Sequence, residues 1–134
     1  MSQINVYLNF DGKCAEAMKF YQSCLGGELF LQTVKASPMA DQWPAHKQDH
    51  ILHSSLTNGS LLLLASDMGA DPSGMINNVS ISLTCNTPEE MVAAFEKLSA
   101  GGEPLRPVHD FFGGKIGVLR DKYGFNWLLY YNNQ

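Results

Sequence analysis

The stretch VSISLTCNTPEEMVAAFEKLSAGGE, running from Val79 to Glu103, decides how the rest of the chain is read. Its opening alternates: Val79, Ile81, Leu83 and Cys85 fall on one side of an extended chain, and Ser80, Ser82 and Thr84 fall on the other. That period of two marks a strand with one buried face. Thr87 then offers a helix N-cap hydroxyl, Pro88 suits the first helical position, and Glu90 stands where a capping box closes. Met91, Ala94, Phe95 and Leu98 follow at helical spacing. The pair Gly101-Gly102 ends the helix, since a left-handed residue past the last turn penalises any Cβ.

Working outward, the same order recurs near the N-terminus. In residues 4–10, Ile4, Val6, Leu8 and Phe10 share one strand face. Ala17, Phe20, Tyr21 and Cys24 take the helical places, and Gly26-Gly27-Glu28 repeats Gly101-Gly102-Glu103. Strand-like stretches follow each glycine pair, at about 28–35, 50–57 and 60–66 in the first copy and about 103–110, 115–120 and 125–131 in the second. Asn58-Gly59 supplies a hairpin turn in one, Lys122-Tyr123-Gly124 the last turn in the other. Each half thus reads β-α-β-β-β, a repeat of one supersecondary unit. The expectation is a single α+β domain over 1–134, with modules at about 1–66 and 77–134 joined by a linker at about 67–76. Neither module can bury both sheet faces alone. Paired, the two should form a curved eight-stranded mixed sheet around a cleft, with the helices outside.

Composition excludes several function classes. A formal net charge of −4, with no lysine or arginine cluster in the sequence, argues against a nucleic-acid partner. Apolar runs such as Leu61 to Ala65, which no other run exceeds, are far too short to span a membrane. No basic-then-apolar segment opens the chain, so a cytoplasmic protein is expected. Cys14, Cys24 and Cys85 form no CxxC pair and read as free, buried thiols.

The residues also resemble a known family. Asn9-Phe10-Asp11-Gly12-Lys13-Cys14-Ala15-Glu16-Ala17-Met18-Lys19-Phe20-Tyr21 followed by Leu25-Gly26-Gly27-Glu28 is similar to the opening of the PhnB-like branch of the vicinal-oxygen-chelate (glyoxalase/bleomycin-resistance/dioxygenase) superfamily. Phe111-Phe112-Gly113 and Asp121-Lys122-Tyr123-Gly124-Phe125-Asn126-Trp127 are similar to its ending, and Ile51-Leu52-His53 and Ala65-Ser66-Asp67 to its middle. The resemblance implies paired βαβββ modules, assembly as a homodimer, and a ligand cleft. Some related domains carry a demethylubiquinone methyltransferase label. No glycine-rich nucleotide-binding turn here supports methyl transfer, and no cofactor is expected.

Enzymes of that superfamily typically hold a divalent metal through His and Glu on the first and last strands of each half. Those strands here offer Asn5, a run of leucines, Ser80, Ser82, Thr84 and Asn126, with no histidine or carboxylate. Uncharged oxygens compensate a cation's dehydration poorly, so no metal site is expected there. His46, His50 and His53 lie near one another in sequence, but a zinc site from them needs a bend and a fourth ligand. His53 and His109 are the candidates for acid–base catalysis. Tyr7, Trp43, Phe111, Phe112, Trp127 and Tyr130 are the candidates for an aromatic ligand surface, with Trp43 carried on a long loop at 36–49. The leading expectation is metal-independent binding of a small molecule. The alternative is a lyase- or oxidoreductase-type enzyme acting on a small oxygen-rich metabolite through a non-classical metal or the two histidines.

Overall fold

The computed structural model describes residues 4–67, 79–111 and 113–132. The expected linker therefore lies outside the described residues except for Asp67, and so does Phe112. The chain divides into two compact units, Met1–Met75 and Ile76–Gln134.

The first unit runs β1 (Val6–Asn9), α1 (Cys14–Leu25), β2 (Glu28–Thr33), β3 (Ile51–Asn58) and β4 (Leu61–Ser66). The second runs β5 (Ser80–Cys85), α2 (Pro88–Ser99), β6 (Glu103–Phe111), β7 (Gly114–Arg120) and β8 (Asn126–Asn132). The strands hydrogen-bond as two four-stranded sheets of matching topology, β1-β4-β3-β2 and β5-β8-β7-β6. In each sheet the first strand pairs parallel to the last, and the other pairs are antiparallel. This is the expected pair of α+β modules. Among the described residues, no helix is long and apolar enough to cross a membrane.

The helix starts differ between the units. Thr87 accepts from the Glu90 amide at 3.0 Å, and the Glu90 carboxylate accepts from the Asn86 amide at 3.2 Å. Helix α2 is thus capped by its own sequence, and it buries Met91, Ala94, Phe95 and Leu98 as its spacing predicts. Helix α1 has no side-chain cap at Lys13. Its first amide, Cys14, donates instead to Asp67 at 3.1 Å, so the cap comes from the residue that follows β4, the parallel neighbour of β1. The buried stripe of α1 is Cys14, Ala17, Met18 and Tyr21. Phe20 and Cys24, expected on that stripe, are half-buried at its shoulder.

The glycine pairs have a packing cause in both units. A Cβ at Gly27 would overlap the Thr57 carbonyl oxygen of β3, and one at Gly102 would overlap the Arg120 carbonyl oxygen of β7. Each helix can return to its sheet only where the backbone is bare. The β3–β4 hairpin turns at Gly59-Ser60, with Asn58 opposite Leu61. The Asn58 side chain donates to the Leu25 carbonyl at 2.9 Å and so covers the C-terminal end of α1.

Candidate functional site

Each helix covers one face of its sheet, and the register identifies what lies on the other. In the first unit Leu8, Leu56, Leu63 and Ala65 are buried, with Leu8 paired to Ala65 and Leu56 to Leu63. They form the helix side. Side chains alternate along a strand, so Tyr7, Leu64, Ser55 and Phe30 occupy the opposite face. They form one continuous cross-strand row, Tyr7 beside Leu64, Leu64 beside Ser55 and Ser55 beside Phe30. Three strand spacings make this row about 14 Å wide. Its two ends are exposed aromatics, Tyr7 at 45% and Phe30 at 54%. His53 stands on the same face, half-buried and directly opposite Gln32. Phe30 was not singled out from the sequence, because its flanking leucines hide the alternation of β2.

Residues 34–50 join β2 to β3 and contain two short 3-10 turns, Ala40–Gln42 and Ala45–Lys47. Gln48 holds this loop together by donating to the carbonyls of Ala40 and Trp43, both at 2.9 Å. Lys47 Nζ lies 5.7 Å from the centre of the Trp43 ring. Trp43 Nε1 and His50 Nδ1 are buried without a hydrogen-bond partner. His46 is exposed. Among the described residues, no group of three or more His, Cys, Asp or Glu side chains is gathered to hold a metal.

In the second unit the helix side is Trp127 and Leu129 of β8, Leu119 of β7, and Gly117, whose added Cβ would touch the Phe95 ring of α2. The open face therefore carries Tyr130, Leu128 and Asn126 on β8, and Ile116, Val118 and Arg120 on β7. Across the register, His109 lies beside Ile116, Arg106 beside Val118 and Glu103 beside Arg120. Tyr130 lies between Thr84 and Ile116. His109 is exposed, with Nδ1 at 2.8 Å from the Pro107 carbonyl oxygen. Phe111 ends β6 at 39% exposure. Trp127 does not join this surface: it is 2% exposed, packs on the helix side, and donates through Nε1 to Asp121 at 2.8 Å.

Two buried carboxylates organise the units. Asp67 accepts the amides of Gly12 at 2.7 Å, Cys14 at 3.1 Å and Ile51 at 2.7 Å, tying the β1–α1 turn and the start of β3 to the end of β4. Asp121 accepts the amides of Tyr123 at 2.9 Å and Phe125 at 3.1 Å besides the Trp127 indole, fixing the β7–β8 turn. Both belong to stretches that resemble the family signature, and their hydrogen bonds give them a structural role. Burial pushes the Cys14 thiol up to about 11; the Ser54 hydroxyl offsets part of this and the Asp67 charge adds to it. Burial likewise pushes Cys85 up to about 11, with Glu90 adding to it. Neither thiol has the lowered pKa of a nucleophile. Asp49 and Asp110 are held below the usual carboxylate range by hydrogen bonds from Lys35 and Lys115.

A divalent metal of the superfamily type does not fit the open faces. The donors at the relevant strands are amides and hydroxyls, and Asn126 Oδ1 already accepts from Arg120 Nε at 3.2 Å. A guanidinium bound to the oxygen that would face a cation opposes the cation's charge.

Comparison with known proteins agrees with this architecture. Protein PA1353 from Pseudomonas aeruginosa shares 34% identity, covering 98% of each chain at a TM-score of 0.85. A structure described as a putative 3-demethylubiquinone-9 3-methyltransferase, PhnB protein, from Bacillus cereus shares 28% identity over 97% of this chain and 99% of its own, at a TM-score of 0.76. Protein YjdN of Escherichia coli K12 is 27% identical, covering 94% of this chain and 92% of its own. A glyoxalase/bleomycin resistance protein/dioxygenase family enzyme from Burkholderia phytofirmans shares the fold, with a TM-score of 0.61 at 13% identity over 93% of this chain and 95% of its own. The family model described as 3-demethylubiquinone-9 3-methyltransferase matches residues 2–130, and the chain belongs to this PhnB-like family.

Proposed function

We propose that the chain binds a small, partly apolar molecule without a metal, on the helix-free faces of its sheets. The observation that carries the reading is the row Tyr7–Leu64–Ser55–Phe30, whose aromatic ends are exposed on the face turned away from α1. An antiparallel face left to water is ordinarily polar, and large exposed apolar groups in one line mark a contact surface. Tyr130 and Phe111 play the same part in the second unit, and Trp43 contributes from the 34–50 loop. Trp127 is left out because its ring is committed to the core. The protein acts as a homodimer, the assembly that the family resemblance implies, and light scattering at twice the chain mass would support this. Methyl transfer, as in the family's description, finds no nucleotide-binding glycine turn in this sequence to support it.

The test is a fluorescence titration with the neutral apolar probe N-phenyl-1-naphthylamine, with and without EDTA. Saturable binding that EDTA leaves unchanged and that Phe30→Ser weakens supports the reading. Absence of saturable binding, or its loss with EDTA, overturns it. Stoichiometric transition metal in protein purified without affinity metal would also count against it. One observation favours a second reading, catalysis by acid–base chemistry: His53 lies half-buried on the same face beside Gln32. A turnover abolished in His53→Gln while probe binding persists would establish that reading. In the second unit the exposed His109, hydrogen-bonded within its own strand, is a weaker candidate for such a role.

A further inference from the structure

We infer that the open face of the second sheet grips an anionic oxygen group, a carboxylate or a phosphate, between Arg106 and Arg120. This rests on the reading of that face as a ligand surface, and it names the chemistry that the face selects. The two arginines are far apart in sequence, and the register brings them to neighbouring strands. Arg106 of β6 is opposite Val118, two residues before Arg120 on β7, so both guanidinium stems rise from the same face as diagonal neighbours.

Their partners are what set them apart. Two lysines, Lys35 and Lys115, are each ion-paired, at 2.8 Å to Asp49 and 2.7 Å to Asp110. Among the described residues, no ion pair engages Arg106 or Arg120. Glu103 lies opposite Arg120 in the ladder, yet no ion pair joins them. Arg120 is half-buried, and its Nε is held by Asn126 Oδ1 at 3.2 Å. That bond fixes the guanidinium plane and leaves its two terminal nitrogens available as a fork, the geometry that matches two oxygens of one anion. A partly desolvated guanidinium without a counter-charge is unfavourable, and an anion seated there would relieve it. Tyr130 and Ser82, on the same face, add hydroxyl donors to the surroundings. An acidic chain that places together on a ligand face two arginines with no ion pair among the described residues selects for a negative ligand.

The experiment follows backbone amide shifts of the isotopically labelled protein during titration with inorganic phosphate and, separately, acetate at low ionic strength. Saturable shifts clustered on β6, β7 and β8 are expected. Arg106→Gln, an exposed position where folding is not at issue, should weaken binding roughly tenfold, the loss of one charge-assisted contact. Arg106→Lys should restore part of it. Arg120→Gln should weaken it at least as much, with thermal unfolding run alongside to confirm the fold. Tighter binding of phosphate would mark a phosphate ester as the natural group, tighter binding of acetate a carboxylate. Shifts that never saturate, or affinities unchanged in Arg106→Gln, overturn the inference. The neutral naphthylamine probe separates the two levels: probe binding without anion binding defeats this inference alone, and loss of both defeats the binding reading as well.

Discussion

Asp67→Asn removes one oxygen from a buried group that serves three amides. The retained carbonyl oxygen can still accept from Gly12 and Cys14, now without charge. The new amide nitrogen replaces Oδ2 and meets the Ile51 N–H at a position where the wild-type contact is 2.7 Å. Two donors then face each other in a buried site. Loss of a hydrogen bond to a charged acceptor costs about 1.5–3 kcal/mol, and a stranded buried N–H costs about 1–3 kcal/mol. Together these give about 3–5 kcal/mol, a large share of the roughly 5–15 kcal/mol that holds a domain folded. With a urea m-value near 2 kcal/mol/M, the unfolding midpoint should fall by roughly 2 M. The assay is urea unfolding followed by far-ultraviolet circular dichroism, with the exposed neighbour substitution Asp11→Asn as control. A loss below about 1 kcal/mol would refute the argument that Asp67 is the tertiary cap of α1 and the clamp on β3.

The other predictions follow from single contacts. Gly27→Ala and Gly102→Ala should each lower the melting temperature sharply, by far more than Gly59→Ala, where an added Cβ meets nothing within 4 Å; equal effects would show that the close approaches are not limiting. Tyr21→Ala should cost about 3–5 kcal/mol as a core truncation, and Phe20→Ala distinctly less, since only Tyr21 is fully buried; the reverse order in chemical denaturation would contradict the helix face. Thiol labelling at pH 7.5 should reach the half-buried Cys24 first, because Cys14 and Cys85 are buried and titrate near 11; rapid modification of all three in the native state would contradict this. Since those two thiols ionise near 9 once unfolded, they favour the native state below that pH, and stability should decline as pH rises from 9 toward 11. Trp43→Ala should weaken probe binding with little change in melting temperature, and a large fall in melting temperature would show the loop's indole to be structural.

The strand–helix–glycine order was legible because each of its signals is local. Thr87, Pro88, Glu90 and the stripe Met91, Ala94, Phe95, Leu98 each act within four residues of the next, so these signals need no distant contact. Helix α1 was harder to orient. Its aromatic Phe20 suggested a face, but the stripe that packs keeps Ala17 and Tyr21 and adds Cys14 and Met18, a rotation of roughly 60° about the helix axis. Trp127 shows a fault of reading and not of information. It sits an odd number of places from Tyr130, so a regular strand sends the two to opposite faces, as the register confirms. Arg106 and His109 were a different matter. Strand β6 carries Pro104 and Pro107 and slips register on both sides of Arg106, and nothing local reveals where each side chain will emerge. The pairing of Arg106 with Arg120 across two strands is likewise a property of the ladder alone.

The parallel pairing of each unit's first and last strands also has a consequence for synthesis. β2, β3 and β4 can zip as successive hairpins as they leave the ribosome, but Tyr7 cannot meet Leu64 until that residue has emerged. At roughly 5–20 residues per second, β1 waits several seconds with Val6, Leu8 and Phe10 unprotected. The second unit repeats the delay, since Ile81 waits for Trp127. The nascent chain is therefore most vulnerable to misassociation twice, each time just before a closing strand appears. These two intervals are where a chaperone would have the most to do.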